Sequence, residues 1–264
     1  MNQRLRTFCA VGLLALSAGI ASVADGGADT YSSYTGIATA RHTAKFLYRE
    51  NHVLRYHDGK IAERVVLYSC GDGSAFARKT VSYADALAPD FLLEDASNGM
   101  REGVRTAAGG RAVFFRAGSN EAEKTSPLPR VSGLVADTGF DEFVRANWQP
   151  LMSGKRLSMR FLVPSRLQEM GFEVQHVKSE RLDGVPVEVF SLKLSGVLGW
   201  ALPGIDVYYG ANDHVLMRYV GISDLRDGSH GNFQTEIVFR PSDRKLADDQ
   251  AMANALRARL APCR

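Results

Sequence analysis

The stretch LYSCGDGSAFARK (67–79) is where residue types first suggest chemistry, because Cys70 stands beside two glycines, an aspartate and a serine. A cysteine nucleophile needs a base that lowers its pKa, and no histidine lies within about ten residues of Cys70. A phosphate-binding loop would lead into a helix, whereas the residues that follow alternate as a strand does. The stretch is therefore predicted to be a hairpin turn in which glycine supplies the positive φ.

The histidines and acidic residues give no metal or catalytic motif. His52 and His57 are the only two histidines near each other, and their spacing puts them on opposite faces of a strand. The polar run DLRDGSHGN (224–232) lacks the carboxylate spacing and distal glutamate of a calcium loop. Serine-hydrolase and zinc-protease motifs do not occur. The sequence thus predicts no catalytic residue, no metal ligand and no cofactor.

The N-terminus is typical of a secretory signal peptide. Arg4 and Arg6 precede an apolar run over 8–20, and small residues follow as far as Ala24. The run is too short and too soon followed by polar chain to be a spanning helix. We therefore expect residues 1–24 to be removed and residues 25–264 to form one domain in the periplasm, with no integral membrane segment.

The charge balance of the mature chain is nearly even. Removing the two arginines of the signal from 32 basic residues leaves 30, against 29 acidic residues. No basic tract of the kind that binds phosphate backbones appears, so a nucleic-acid partner is not expected.

Two cysteines remain after the signal peptide, Cys70 and Cys263. In an oxidising compartment paired cysteines usually form a bridge. The sequence therefore predicts a disulfide between the first half of the chain and its C-terminus, with two free thiols as the alternative.

Strand signals dominate the rest of the chain. Alternating segments such as AKFLYRENHVLRYH and IAERVVLYS are separated by turn dipeptides, among them Asn98-Gly99 and Asp183-Gly184. This spacing predicts an antiparallel sheet of about ten to twelve strands. Between the halves, DTGFDEFVRANWQPL predicts a central helix over 139–149, capped at Thr138 and ended by Pro150. From Ser242 onward the composition predicts a C-terminal helix over 243–260.

This layout resembles the LolA-like class of periplasmic half-barrels and uncharacterised exported bacterial proteins of similar shape. The segments that carry the resemblance are YTGIATA (34–40), GFDEFVRANW (139–148), FLVPSRL (161–167) and RYVGISDL (218–225). It implies a mainly β fold with helices: a strongly curved, unclosed antiparallel sheet around an apolar interior that helices plug. It also implies binding of acyl chains or of a lipidated protein. No functional residue is carried over from the class.

An apolar connection, SGVLGWALPGIDVYY (195–209), stands where a polar loop is the rule. Together with the apolar face of the central helix it is the candidate mouth of a ligand cavity. The candidate ligand-binding residues are Phe140, Phe143, Trp148, Val197, Leu198, Trp200 and Leu202. The alternative is that both segments cover the core of a large curved sheet.

The leading functional hypothesis is an exported, non-enzymatic protein that binds a lipid, another hydrophobic small molecule or a lipidated partner in an apolar cavity. A periplasmic structural or interaction module without a ligand is the first alternative. A hydrolase with an unrecognised site is the second. The sequence leaves the oligomeric state and the ligand open.

Overall fold

A computed structural model of the protein describes residues 28–196, 204–227 and 231–263. The predicted signal peptide lies outside the described residues, and so do Val197, Leu198, Trp200 and Leu202. The described part forms one sheet of sixteen strands, together with three α-helices.

The strands are β1 (Asp29–Ala40), β2 (Phe46–His57), β3 (Lys60–Ser69), β4 (Ala75–Ser82), β5 (Asp90–Asp95), β6 (Met100–Ala107), β7 (Gly110–Arg116), β8 (Lys124–Pro127), β9 (Leu134–Val135), β10 (Leu157–Val163), β11 (Gln168–Leu182), β12 (Val185–Leu194), β13 (Ile205–Gly210), β14 (Leu216–Arg226), β15 (Asn232–Phe239) and β16 (Lys245–Ala247). The helices are α1 (Gly139–Ala146), α2 (Trp148–Met152) and α3 (Asp249–Arg257). None of these three helices has the length and apolar character needed to cross a bilayer.

The strand order is a long meander. It runs β8-β7-β6-β5-β4-β3-β2-β1-β15-β14-β13-β12-β11-β10-β9, with β16 paired to β1. All pairs are antiparallel except that of β9 with β10. β8 and β9 end the order without pairing to each other, so the sheet is unclosed, as the sequence predicts.

The sheet is strongly curved. Lys79 on β4 and Asp224 on β14 form an ion pair of 2.6 Å between Nζ and Oδ2. Their strands are five steps apart in the sheet order, a path of about 24 Å at the usual spacing between strands. The two side chains can meet only across a concave side. We call β1–β8 the first half of the sheet and β9–β15 the second half.

Strand β3 illustrates why the sheet needs cover on both sides. Its sequence is apolar on both faces, which predicts packing partners on each. Val66 belongs to the cluster on the concave side, and its neighbour Val65 packs on the convex side against Met252 and Ala255 of α3. The C-terminal helix therefore serves as the outer layer for β2 and β3.

The number of strands exceeds the predicted ten to twelve. Most of the difference comes from β8, β9 and β16, which have two to four residues each. Segments this short carry too few positions for an alternation to be recognised in the sequence.

The central helix also differs from its prediction, because it is two short helices instead of one over 139–149. The break is at Asn147, whose side-chain amide donates to the carbonyl of Phe143 at 2.8 Å. Pro150 does not end a helix but lies inside α2. A proline is tolerated there because the first turn has no intrahelical acceptors for its N–H groups.

Two predicted helix caps are wrong. Thr138 makes no capping hydrogen bond with its side chain, and its hydroxyl accepts from Tyr83 at 2.8 Å instead. The C-terminal helix does not begin after Ser242. It begins at Asp249, where the Asp248 carboxylate accepts from the N–H of Ala251 at 2.8 Å, and it ends at Arg257. The intervening residues pair with β1 as β16, and this pairing satisfies their backbone groups without a helix.

The predicted disulfide is present between Cys70 and Cys263. Cys70 begins the predicted turn, where its N–H donates to the carbonyl of Ser74 at 2.9 Å and Gly73 has a φ of 89°. The disulfide attaches the tail after α3 to the end of β3. Arg78 strengthens the attachment by donating to the carbonyl of Leu256 at 2.6 Å.

Candidate functional site

The concave side of the first half carries charged residues in a cross-strand row. His52 on β2, Lys79 on β4 and Glu102 on β6 alternate in register with Val66 on β3 and Leu93 on β5. Directly opposite residues on paired strands share a face. The row therefore places an imidazole, an ammonium group and a carboxyl group along one line of the interior.

Lys79 sits between two carboxylates. Its Nζ lies 2.7 Å from Oδ1 of Asp137, in the segment before α1, and 2.6 Å from Oδ2 of Asp224. Burial lowers the pKa of Lys79, but the two carboxylates outweigh burial and hold that pKa well above its ordinary value. The side chains of Lys79 and Asp137 are 6% and 5% exposed, whereas that of Asp224 is 53% exposed. The cluster thus opens to solvent at Asp224.

Glu102 faces this cluster from β6. Burial raises the pKa of Glu102 to about 8, and the negative charge of Asp224 adds to the increase while Lys79 opposes it. Burial also raises the pKa of Asp137. Burial therefore favours the protonated form of Glu102.

A second polar bridge joins the first half of the sheet to α1. Arg64 on β3 is 3.7 Å from Asp141 of α1, and the hydroxyl of Tyr209 on β13 donates to the same carboxylate at 2.8 Å. In both bridges a cation of the first half pairs with an acid in α1 or in the segment before it. Asp137 and Asp141 thus anchor the α1 region to the first half.

The buried polar atoms of this region are incompletely paired. His52 contacts Glu50 through Nε2 at 3.1 Å and stacks on Tyr34, and burial lowers the pKa of His52. Its Nδ1 has no hydrogen-bond partner, and neither has Nε of Arg64 or Oδ2 of Asp137. Such atoms are uncommon in protein interiors. The interior of the first half therefore contains buried polar groups set among the apolar side chains of the concave-side cluster, and is not the wholly apolar space that the resemblance implies.

The concave side of the second half is apolar. Trp148 of α2 lies with its ring centroid 5.0 Å from that of Phe190 and 6.3 Å from that of Tyr209. His214 stacks on the other side of the indole at 3.7 Å. α1 and α2 thus place apolar residues on β12 and β13, while Asp141 of α1 reaches β3.

The helices leave one end of this apolar surface partly exposed. Because the strands are antiparallel, the last residues of β10, β12 and β14 lie at the same end of the sheet as the first residues of β11 and β13. We call this end the mouth. Five partly exposed apolar residues lie there on the concave side and in adjacent cross-strand positions, and we call them the apolar floor: Phe161, Met170, Phe172, Leu194 and Ile205.

Comparisons with known proteins show no family for this chain. No family model and no curated protein matches the chain. A beta-barrel-like protein of the domain of unknown function DUF1849 from Brucella abortus is 9% identical, with a TM-score of 0.44 over 83% of this chain and 98% of that chain. A DUF1329 family protein from Desulfovibrio piger is 10% identical, with a TM-score of 0.31 over 88% and 90% of the two chains.

A third similar structure is a domain described as that of an outer membrane lipoprotein-sorting protein from Vibrio parahaemolyticus. It is 10% identical, with a TM-score of 0.29 over 89% of this chain and 93% of that chain. None of the three structures reaches a TM-score of 0.5.

The candidate ligand-binding residues of the central helix occupy different environments. Trp148 is 7% exposed within the apolar cluster, whereas Phe140 and Phe143 are partly buried at its surface. The candidates between β12 and β13 lie outside the described residues. The described residues that flank them, Leu194 and Ile205, belong to the apolar floor.

Two grooves are lined mostly by polar residues. One, of about 360 Å³, runs along the outer face of β11 and β12 and is lined by residues that include Arg156, Glu173 and Lys193. The other, of about 280 Å³, lies beside β1 and is lined in part by Asn51 and Asp243. Neither groove is the apolar cavity that the sequence predicts.

Sequence reasoning missed the charged cluster. A lysine and a glutamate within alternating strands look like solvent-facing residues, and Asp224 belongs to a run that looks like a hairpin turn. A usable signal exists in the register. Lys79 has the same parity as the apolar Ala77 and Val81, which places it on the buried face of β4.

Proposed function

We propose that the protein is an exported, non-enzymatic binding protein that takes up an acyl chain on the apolar floor. The observation that supports the proposal is the floor itself, a set of large apolar side chains in adjacent positions that remain partly exposed. Contiguous exposed apolar surface is typical of a binding site rather than of ordinary solvent-facing sheet. The acyl chain could belong to a free lipid or to a lipidated protein, and both present the same chemistry.

The proposal assigns different parts to the residues predicted from the sequence. Phe140 and Phe143 of α1 pack against the same apolar cluster as the floor residues. Trp148 lies within that cluster and packs on Phe190. On sequence grounds the proposal also includes the connection that joins β12 to β13, with Val197, Leu198, Trp200 and Leu202. Its placement in the periplasm rests on the N-terminal sequence and is consistent with the Cys70–Cys263 disulfide.

A structural or interaction module without a ligand is the second candidate. The dense packing of Trp148 between Phe190 and His214 favours it, because an indole held on two sides contributes to a solid core. This candidate predicts that the exposed floor contacts no acyl chain at any lipid concentration.

Binding of cis-parinaric acid, a fluorescent fatty acid, tests the proposal. The protein should be purified from an exporting host without detergent and titrated with the probe. Replacing Phe161 and Phe172 by serine should weaken binding at least about tenfold, because both rings would lie against the chain. Leu246→Ser is the matched control, since this leucine is 93% exposed on β16 and far from the floor in the strand order.

Competition then distinguishes the two sources of the acyl chain. Displacement of the probe by phospholipid, but not by a lipidated peptide, indicates a lipid ligand. Preferential displacement by the lipidated peptide, with no effect of the same peptide without its lipid, indicates a lipoprotein partner. Equal probe binding by wild type and the double variant, or no binding by either, would exclude the floor as the site and leave the interaction module.

A further inference from the structure

The end of β14 departs from regular pairing where it approaches the mouth. Ile222 pairs with Gln234 and Arg226 pairs with Asn232, so four steps along β14 oppose two steps along β15. The two additional residues form a bulge, and bulges redirect the side chains that they carry. Asp224 lies within this bulge and reaches Lys79 across the concave side.

The bulge adjoins the apolar floor. A methyl group placed on Gly221 would lie 2.8 Å from Cγ1 of Ile205, so the backbone of β14 runs directly against a floor residue. Asp224 follows Gly221 by three residues. The ion pair with Lys79 therefore connects the rim of the second half, beside the floor, to β4 of the first half.

The two acids that bind Lys79 differ in what they restrain. Asp137 is buried and belongs to the segment before α1, so its pair with Lys79 is internal. Asp224 is half exposed and belongs to the irregular end of a strand, where the Asn232 side-chain amide, in place of regular ladder hydrogen bonds, donates to the carbonyls of Ser223 and Asp224. Of the two ion pairs, only the one to Asp224 can break at the surface while the buried pair stays intact.

We propose that the Lys79–Asp224 ion pair is a clasp that holds the rim of the mouth closed, and that ligand reaches the apolar floor when the clasp parts. The gating part of this inference rests on the proposed function, whereas the clasp itself does not. A ligand on the floor would contact Ile205 of β13, against which the backbone of β14 runs at Gly221. Outward movement of the bulge widens that space without disturbing Asp137 or the second bridge at Arg64 and Asp141.

Asp224→Asn tests the clasp, because it removes the exposed charge and leaves the Lys79–Asp137 pair in place. Glu63→Gln is the matched control, since Glu63 is a partly exposed carboxylate that pairs with Arg55. Hydrogen exchange of the amides over 221–226 should quicken about tenfold in Asp224→Asn, and Asp224→Glu should restore slow exchange. The control should leave these amides unchanged.

The association rate of cis-parinaric acid tests the gate separately. Asp224→Asn should bind the probe several-fold faster than the wild type. Unchanged exchange in Asp224→Asn would overturn the clasp whether or not the probe binds. Faster exchange with an unchanged association rate would overturn the gate. If no variant binds the probe, the proposed function and its gate fail together, and exchange alone decides the clasp.

Discussion

The two halves of the sheet add different groups to the apolar side chains on their concave sides. The first half uses charges, with Lys79 and Arg64 each paired to an acid from the α1 region. The second half uses rings, with Trp148 between Phe190 and His214. The α1–α2 segment contacts both and is polar on one side and apolar on the other.

This difference shows that the α1–α2 segment and the residues just before it join a charged surface of the first half to an aromatic surface of the second half. Buried ion pairs contribute little net stability but fix a unique arrangement, because an unpaired buried charge is costly. Apolar packing stabilises without specifying direction. We infer that the charges set where the α1–α2 segment docks and that the aromatic contacts hold it there.

The largest test of the comparison is Lys79→Met. It leaves Asp137 buried with no counter-charge and should lower the free energy of unfolding by about 3–5 kcal/mol. Adding Asp137→Asn to the same chain should restore much of the loss, because the uncompensated charge is then removed. Urea unfolding measures both. If the free energy of unfolding of the Lys79→Met single variant were within about 1 kcal/mol of the wild-type value, the stability of the first half would not depend on its charges.

Trp148→Ala probes the second half in the same way. The indole is 7% exposed, and its removal leaves a cavity among Phe190 and Tyr209. The free energy of unfolding should fall by about 3 kcal/mol, with a smaller loss for Trp148→Phe. A loss below about 1 kcal/mol would mean that α2 is not packed on the sheet.

The pH dependence of stability separates the halves further through Glu102. Its pKa is about 8 in the folded chain against an ordinary value of 4.5, so the folded state binds more protons between these limits. The contribution of Glu102 is therefore complete below pH 4.5 and is lost as the pH rises through 8. Glu102→Gln should become progressively more stable relative to the wild type over this window. Urea unfolding at several pH values measures the difference, and a constant difference would place Glu102 in solvent.

The smallest expected effect lies outside both interiors, at the cap of α3. Asp248→Ala removes the acceptor for the N–H of Ala251 and should cost about 1 kcal/mol. Asp243→Ala, in the turn before β16, is the control and should change thermal stability less. An equal effect of the two substitutions would mean that α3 contributes through its general charge and not through its cap.

The sequence predicted the elements whose evidence is local. Alternation and turn dipeptides are sufficient for strands, because the two faces of a strand meet different surroundings every second residue. The bridge between Cys70 and Cys263 was predictable because these are the two cysteines outside the predicted signal peptide, which leaves one intramolecular pairing. Helix ends were less predictable. The break at Asn147 depends on a side-chain hydrogen bond that the apolar spacing does not record.

The sequence by itself determined a strand-rich chain with one intervening helical segment and one disulfide. Only the tertiary structure decided what occupies the interior. Lys79 and Asp224 are 145 positions apart, and their pairing depends on the curvature of a sheet that brings β4 to β14. The apolar floor likewise combines residues of β10, β11, β12 and β13 that are unremarkable one at a time. Curvature and register are sums over many strand pairs, and no single segment contains them.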